Sequence, residues 1–191
     1  MLLLGITGTD GAGKGTVVEY LVAHAGFVHY SARAIFQEVL RTRGEEATRA
    51  NLRLVANELR AAQGDDFLIT YYLKKTEEEK PERVIIESIR AVAEAQTLKK
   101  NGGILLAVDA DQYIRYERVQ KRRSSSDQVS FAEFKMHEEL ETNDPDPHGM
   151  QKRKVMAMAE YVLINNADIA TFQKEIKIMI QKILNTTGDN A

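Results

Sequence analysis

The chain has 191 residues, 26 Lys plus Arg against 28 Asp plus Glu, a formal charge of −2, and no cysteine. That length suits one domain with a sizeable core. The near balance of charge gives no strong field for nucleic acid or an anionic membrane. The lack of cysteine excludes disulfides and thiolate metal sites and fits a reducing, cytoplasmic setting.

The opening MLLLGIT is too short for the apolar region of a signal peptide, and no apolar run reaches bilayer-spanning length. Leu2–Thr7 instead reads as a buried strand running into glycines. A helical stripe follows at Val17, Val18, Leu21, Val22 and Ala25, with Gly26 where a left-handed cap belongs. Phe27–Tyr30 is a second strand. Ser31 caps a helix with an apolar face of Ile35, Phe36, Val39 and Leu40 that ends at Gly44. Another helix covers Thr48–Ala62 and closes at Gly64, and Asp65-Asp66 opens one that includes Tyr72 and Leu73. RVIIE (83–87) and ILLAVD (104–109) are strands separated by a helix over Ile89–Lys100. A basic helix spans Asp111–Arg123. Ser130 and Glu133 form a capping box that starts the next helix. YVLIN (161–165) is the last strand, and Ile169, Phe172, Ile176, Ile180 and Ile183 stripe a terminal helix. Five apolar strands alternating with helices predict a parallel sheet covered on both faces, an α/β fold in one domain. TNDPDPHG (142–149), with two of the three prolines, reads as a mobile loop between basic segments.

Between the first strand and first helix lies GTDGAGKGT, residues 8–16. Gly8, Gly13 and Lys14 satisfy Gly-x-x-x-x-Gly-Lys in its proper strand-to-helix setting. Backbone N–H groups of Gly11, Ala12, Gly13, Gly15 and Thr16 can cradle phosphate at a helix N-terminus, with Lys14 on the β and γ oxygens. The threonine stands one place late, at Thr16, because Gly15 follows the lysine. GKGT in place of GKS or GKT resembles the adenylate kinase group of nucleoside monophosphate kinases, and Asp10 resembles the loop carboxylate of thymidylate kinase. The resemblance covers most of the chain. YSARAIFQEVLRTRG stands where that group begins its acceptor helices, IIESIR where it carries Asp-Gly-x-x-Arg, RYERVQKRR at its lid entry, and YVLINN at its last strand. The whole also looks like small uncharacterised ATPase-like proteins labelled nucleotide kinase or dephospho-coenzyme A kinase-like.

The resemblance implies a three-layer P-loop NTPase with an acceptor-binding insertion at about 31–80 and a lid at about 122–152. It implies ATP and Mg2+ as cofactors and a small-molecule phosphate acceptor, with no nucleic-acid or membrane partner and a monomer or homodimer. Ligands sit beyond the carboxyl ends of parallel strands, so Glu87, Arg90 and Asp109 should face the site. The similarity gives Arg90 the acceptor phosphate. Asp10 and Glu87 would lie beside the acceptor, and Thr16, Glu87 and Asp109 would hold magnesium mostly through water. Arg118 and Arg122 match the lid-entry arginines on the donor nucleotide, among five cations in residues 115–123. Phe36 stands where the acceptor helix of that group carries an arginine, leaving Arg33 or Arg41 as substitutes. The helix after Ser130 lacks the lid arginine and offers Lys135, His137, Lys152, Arg153 and Lys154.

Three functions stay open. A kinase acting on a nucleoside monophosphate needs cations and no base. A kinase acting on a hydroxyl would use Glu87 or Asp10 as base. A nucleotide-binding switch is suggested by Asn165-Asn166-Ala167-Asp168, which echoes a guanine-reading Asn-Lys-x-Asp without its lysine.

Overall fold

The computed structural model describes residues 1–121, 129–142 and 144–188. Its sheet is built from β1 (Leu2–Gly8), β2 (Val28–Ser31), β3 (Arg83–Glu87), β4 (Ile104–Asp109) and β5 (Tyr161–Ile164), in the order β2-β3-β1-β4-β5. Every pairing is parallel, with Leu4 opposite Ile85 on one side and Ile104 on the other. This is the expected three-layer α/β/α arrangement.

The central strand explains its own composition. Leu2, Leu4 and Ile6 face a core shared with α1 (Lys14–Ala25) and α9 (Ile169–Thr187). Leu3 faces the opposite core, shared with α4 (Phe67–Glu79) and α5 (Val92–Lys100). A strand buried on both sides reads as an unbroken apolar run, because neither face can be polar. The intervening helices are α2 (Ala32–Arg43) and α3 (Arg49–Gln63) before α4, and α6 (Gln112–Lys121), α7 (Phe131–Thr142) and α8 (Lys152–Met156) after β4.

Predicted caps form at Gly26, Gly44 and Ser130. Gly26 and Gly44 are left-handed at φ 67° and 71°, Thr48 Oγ1 accepts from Asn51 N at 3.2 Å, and Ser130 and Glu133 exchange bonds across a capping box. Two expectations need correction. The helix predicted from Ile89 begins at Val92, because residues 88–91 form a turn. Ser88 there adopts φ 70°, Ile89 N donates to Ile6 O at 3.0 Å, and Glu94 Oε2 accepts the N–H groups of Arg90 and Ala91 at 2.8 and 3.0 Å. The second concerns Ser31, which precedes α2 with no side-chain capping bond and leaves the start of that helix uncapped. The described part of the 142–149 stretch contacts α3, with Arg53 donating to Asp144 at 3.3 Å, Asn57 to Asp146 at 2.9 Å, and Arg60 to the His148 carbonyl at 3.3 Å. The basic helix ends, within the described residues, at Lys121, so Arg122 and Arg123 lie outside them.

Candidate active site

The loop after β1 wraps the N-terminus of α1, and its glycines are dictated by contact. Gly11 has φ +80°, and a β-carbon there would lie 2.5 Å from the Arg115 carbonyl oxygen of α6. Gly13, at φ +105°, would drive one to 2.4 Å from Asn165 Nδ2. Asn165 in turn donates to the Ala12 carbonyl at 2.8 Å and accepts from Arg118 Nη2 at 3.3 Å. Asn165 thereby fastens the end of β5 to the loop, and Arg118 braces Asn165. Asp168 caps α9 by accepting from Thr171 N at 2.9 Å. Asn165 and Asp168 of the guanine-reader echo are both bonded within the fold.

Lys14 is 8% exposed, and its ammonium donates to the Gly8 and Thr9 carbonyls at 3.1 and 2.7 Å. Burial pushes its pKa down to about 8, with Asp10, 3.8 Å away, opposing the fall. Asp109 accepts from Thr9 Oγ1 at 2.5 Å and from Ala110 N at 2.9 Å, tying the end of β4 to the loop. It does not line the cavity described next.

That cavity, about 540 Å³, opens over the loop and is lined by Asp10, Gly11, Gly13, Lys14, Gly15 and Thr16. Arg33 and Phe36 of α2, Arg49, Arg53 and Arg60 of α3, and Glu87, Ser88 and Arg90 complete its main walls, with Glu141 of α7 beside them. Arg41 is not among the lining residues. It is exposed and paired with Glu38 on its own helix, at 2.6 Å. Of the two substitutes for the missing acceptor arginine, only Arg33 reaches the cavity.

Sequence reasoning named Asp10, Arg90 and Lys152 but missed Arg49 and Glu141, which join them at the centre. Asp10 pairs with Arg49 at 2.5 Å, Arg90 at 3.3 Å and Lys152 at 3.5 Å. Glu141 bonds the same three cations: Arg49 Nε at 2.8 Å, Arg90 Nη1 at 3.1 Å, and the Lys152 ammonium. Burial raises the Asp10 pKa, but Lys152, Arg90, Lys14 and Arg49 together hold it well below the usual carboxylate range. Glu141 is likewise raised by burial and by Asp10, and held low by Lys152, Arg90 and Arg49. In this cluster Lys14, Arg49, Arg90 and Lys152 thus meet the carboxylates of Asp10 and Glu141, with Glu87 on the wall nearby.

Two buried supports hold this set. Arg60 and Glu94, 2% and 0% exposed, pair at 3.0 Å, and the other Glu94 oxygen holds the Arg90 turn. Arg115 donates to the Ala110 carbonyl at 2.7 Å and to that of Asp10 at 3.4 Å, and pairs with Glu138, fixing α7 against the loop. One sequence signal could have found α3. Arg49, Arg53, Asn57 and Arg60 recur at helical spacing, a polar stripe turned inward.

Glu87 ends β3, where His29 Nε2 lies 3.1 Å from its Oε2. Burial raises the Glu87 pKa, but the His29 contact and the charges of Lys14 and Arg90 together outweigh it and hold the carboxyl below its usual range, so Glu87 stays ionised. Among the described residues, no three His, Cys, Asp or Glu side chains gather as a direct metal cage. The oxygen donors Thr16 and Glu87, beside a phosphate site, fit Mg2+, which keeps several waters and uses one or two carboxylates with substrate phosphates.

A phosphate loop at the carboxyl end of a central parallel strand, under helices that carry the cations, defines a P-loop protein. The chain belongs to the AAA domain family, whose model matches residues 4–144. It is 26% identical over 183 residues to the UPF0200 protein of Hyperthermus butylicus, covering 95% of both chains, and 27% identical over 188 residues to that of Thermococcus sibiricus, again covering 95% of both. The fold is similar to the shikimate kinase from Acinetobacter baumannii in complex with shikimate (TM-score 0.55, 21% identity, 97% of this chain and 94% of that one). It is also similar to the dephospho-CoA kinase from Campylobacter jejuni (TM-score 0.54, 16% identity, 95% and 96%). No helix among the described residues is long and apolar enough to cross a membrane.

Proposed function

We propose that the protein is an ATP-dependent phosphotransferase that moves the γ-phosphoryl group to a nucleoside or deoxynucleoside monophosphate, as in the adenylate kinase group. The observation that carries this reading is the convergence of Lys14, Arg33, Arg49 and Arg90 on the cavity over the loop, with Lys152 buried behind them against Asp10 and Glu141. Phosphoryl transfer asks a protein chiefly for positioned cations around the migrating group. Lys14 and the loop N–H groups take the donor phosphates, and Arg118 braces Asn165, which holds the loop from the β5 side. Arg33, Arg49, Arg90 and Lys152 take the acceptor phosphate. The insertion at 31–80 supplies the acceptor wall and the segment at 122–152 the lid. Magnesium, when bound, would neutralise phosphate charge, and Thr16 and Glu87 would hold its waters. The acceptor phosphate is already an anion and needs no base, which suits an Asp10 and a Glu87 whose basicity the surroundings have lowered.

A second reading rests on the His29–Glu87 contact. A carboxylate oriented by an imidazole is how a base is held for a hydroxyl acceptor. An ADP-release screen over nucleosides, nucleoside monophosphates and dephospho-coenzyme A tests both readings. Turnover is expected with a monophosphate. Turnover confined to hydroxyl acceptors would select the second, and none with any acceptor would reject both.

A further inference from the structure

Glu141 has no role in the chemistry above, yet its side chain is 5% exposed and holds the cations best placed for the acceptor. One oxygen accepts from Arg49 Nε and Nη2 at 2.8 and 2.5 Å. The other accepts from Arg90 Nη1 at 3.1 Å and from the Lys152 ammonium. The three cations come from α3, the connection after β3, and α8, so one carboxylate gathers cations from three separate elements. Glu141 sits one residue from the end of α7, and Arg115 pairs with Glu138 one turn earlier. A second cavity of about 760 Å³ lies alongside, lined by Arg33, Arg49, Arg53, His137 and Glu141. It shares its three arginines and Glu141 with the cavity over the loop.

We propose that Glu141 is an internal competitor for the anion site: its carboxylate occupies donors of Arg49, Arg90 and Lys152 that an incoming phosphate must take over. This sets a charge threshold. A carboxylate ligand is a monoanion and gains nothing by exchanging with another carboxylate. A phosphate monoester, close to dianionic at neutral pH, offers more charge and three acceptor oxygens. Entry of phosphate then frees the end of α7 from Arg90 and Lys152, which couples acceptor binding to the segment read as lid. The proposal deepens the reading of an anionic acceptor and names the residue that selects it.

The test needs no acceptor and no turnover. Inorganic phosphate and acetate are titrated against the wild-type protein, Glu141→Gln and Glu141→Asp, reading the shift in melting temperature. Each is repeated in a Lys14→Ala background, which removes the lysine of the P-loop. Glu141→Gln should bind phosphate at least roughly tenfold more tightly, because a competing unit charge leaves a shielded site. Acetate should stabilise this variant and not the wild type. Glu141→Asp keeps its charge but withdraws the carboxylate, so its gain should be smaller and still measurable; it carries the test alone if the glutamine variant does not fold. The gain should persist without Lys14. Unchanged or weaker phosphate binding in both variants, or a gain that vanishes with Lys14→Ala, would overturn the proposal. Kinase activity is read separately, so either idea can fail alone.

Discussion

Lys14 should destabilise the protein it serves. Its ammonium is 8% exposed, and burial lowers its pKa from 10.5 to about 8. A fall of that size disfavours the charged form by about 3 kcal/mol. Below pH 8 both folded and unfolded chains carry the proton, so the full penalty is present. Between pH 8 and 10.5 the unfolded chain holds a proton that the folded chain has released, so stability rises with pH. In Lys14→Met the penalty is gone, but the hydrogen bonds to the Gly8 and Thr9 carbonyls go too, at roughly 1 kcal/mol each. The net expectation is a variant more stable than wild type by about 1 kcal/mol at pH 7, with an advantage that shrinks as pH rises from 8 to 10.5. Urea unfolding at pH 7 and pH 9.5, in phosphate-free buffer without nucleotide, measures it. A Lys14→Met protein less stable than wild type at pH 7, or a difference that does not change with pH, would refute the reasoning. Stability held below its maximum by a functional charge is the trade expected at a binding site.

Gly11→Ala forces a β-carbon to 2.5 Å from the Arg115 carbonyl at a positive φ. It should cost at least about 1–3 kcal/mol in thermal unfolding and weaken fluorescent-ATP binding. Glu94→Gln leaves the buried Arg60 guanidinium without its counter-charge and loosens the Arg90 turn; denaturant titration should show a loss of about 3–5 kcal/mol. On whichever substrate the screen finds, Arg90→Ala should cost at least as much rate as Glu87→Gln, whose positioning contact accounts for roughly ten- to a hundred-fold. A larger loss for Glu87→Gln, together with loss of the acid limb of the pH profile, would instead assign Glu87 as a base.

What the sequence reveals follows from range. β1 and its loop are local: an apolar run buried on both faces, then glycines whose spacing already states their purpose. Arg90 and Glu87 are also legible, because strand ends in a parallel sheet point to the site. Arg49, Lys152 and Glu141 lie on three separate helices and meet only when α3, α7 and α8 close over the loop. The sheet alone does not bring them together. Arg41 shows the opposite failure. A cation on the right helix paired with Glu38 three residues back, while Arg33 reached the cavity. The turn at 88–91 escaped because Ser88 adopts a φ that favours glycine, and Glu94 holds the turn open with its carboxylate.

Phosphorus NMR of the protein with ATP, Mg2+ and the nucleoside monophosphate selected by the screen tests phosphoryl transfer most directly. The account predicts that a new β-phosphate signal of a nucleoside diphosphate from the acceptor grows in step with ADP, and that neither appears with Lys14→Ala. Inorganic phosphate growing in step with ADP, with the acceptor monophosphate signal unchanged, would contradict it, because the γ-phosphoryl group would then be passing to water.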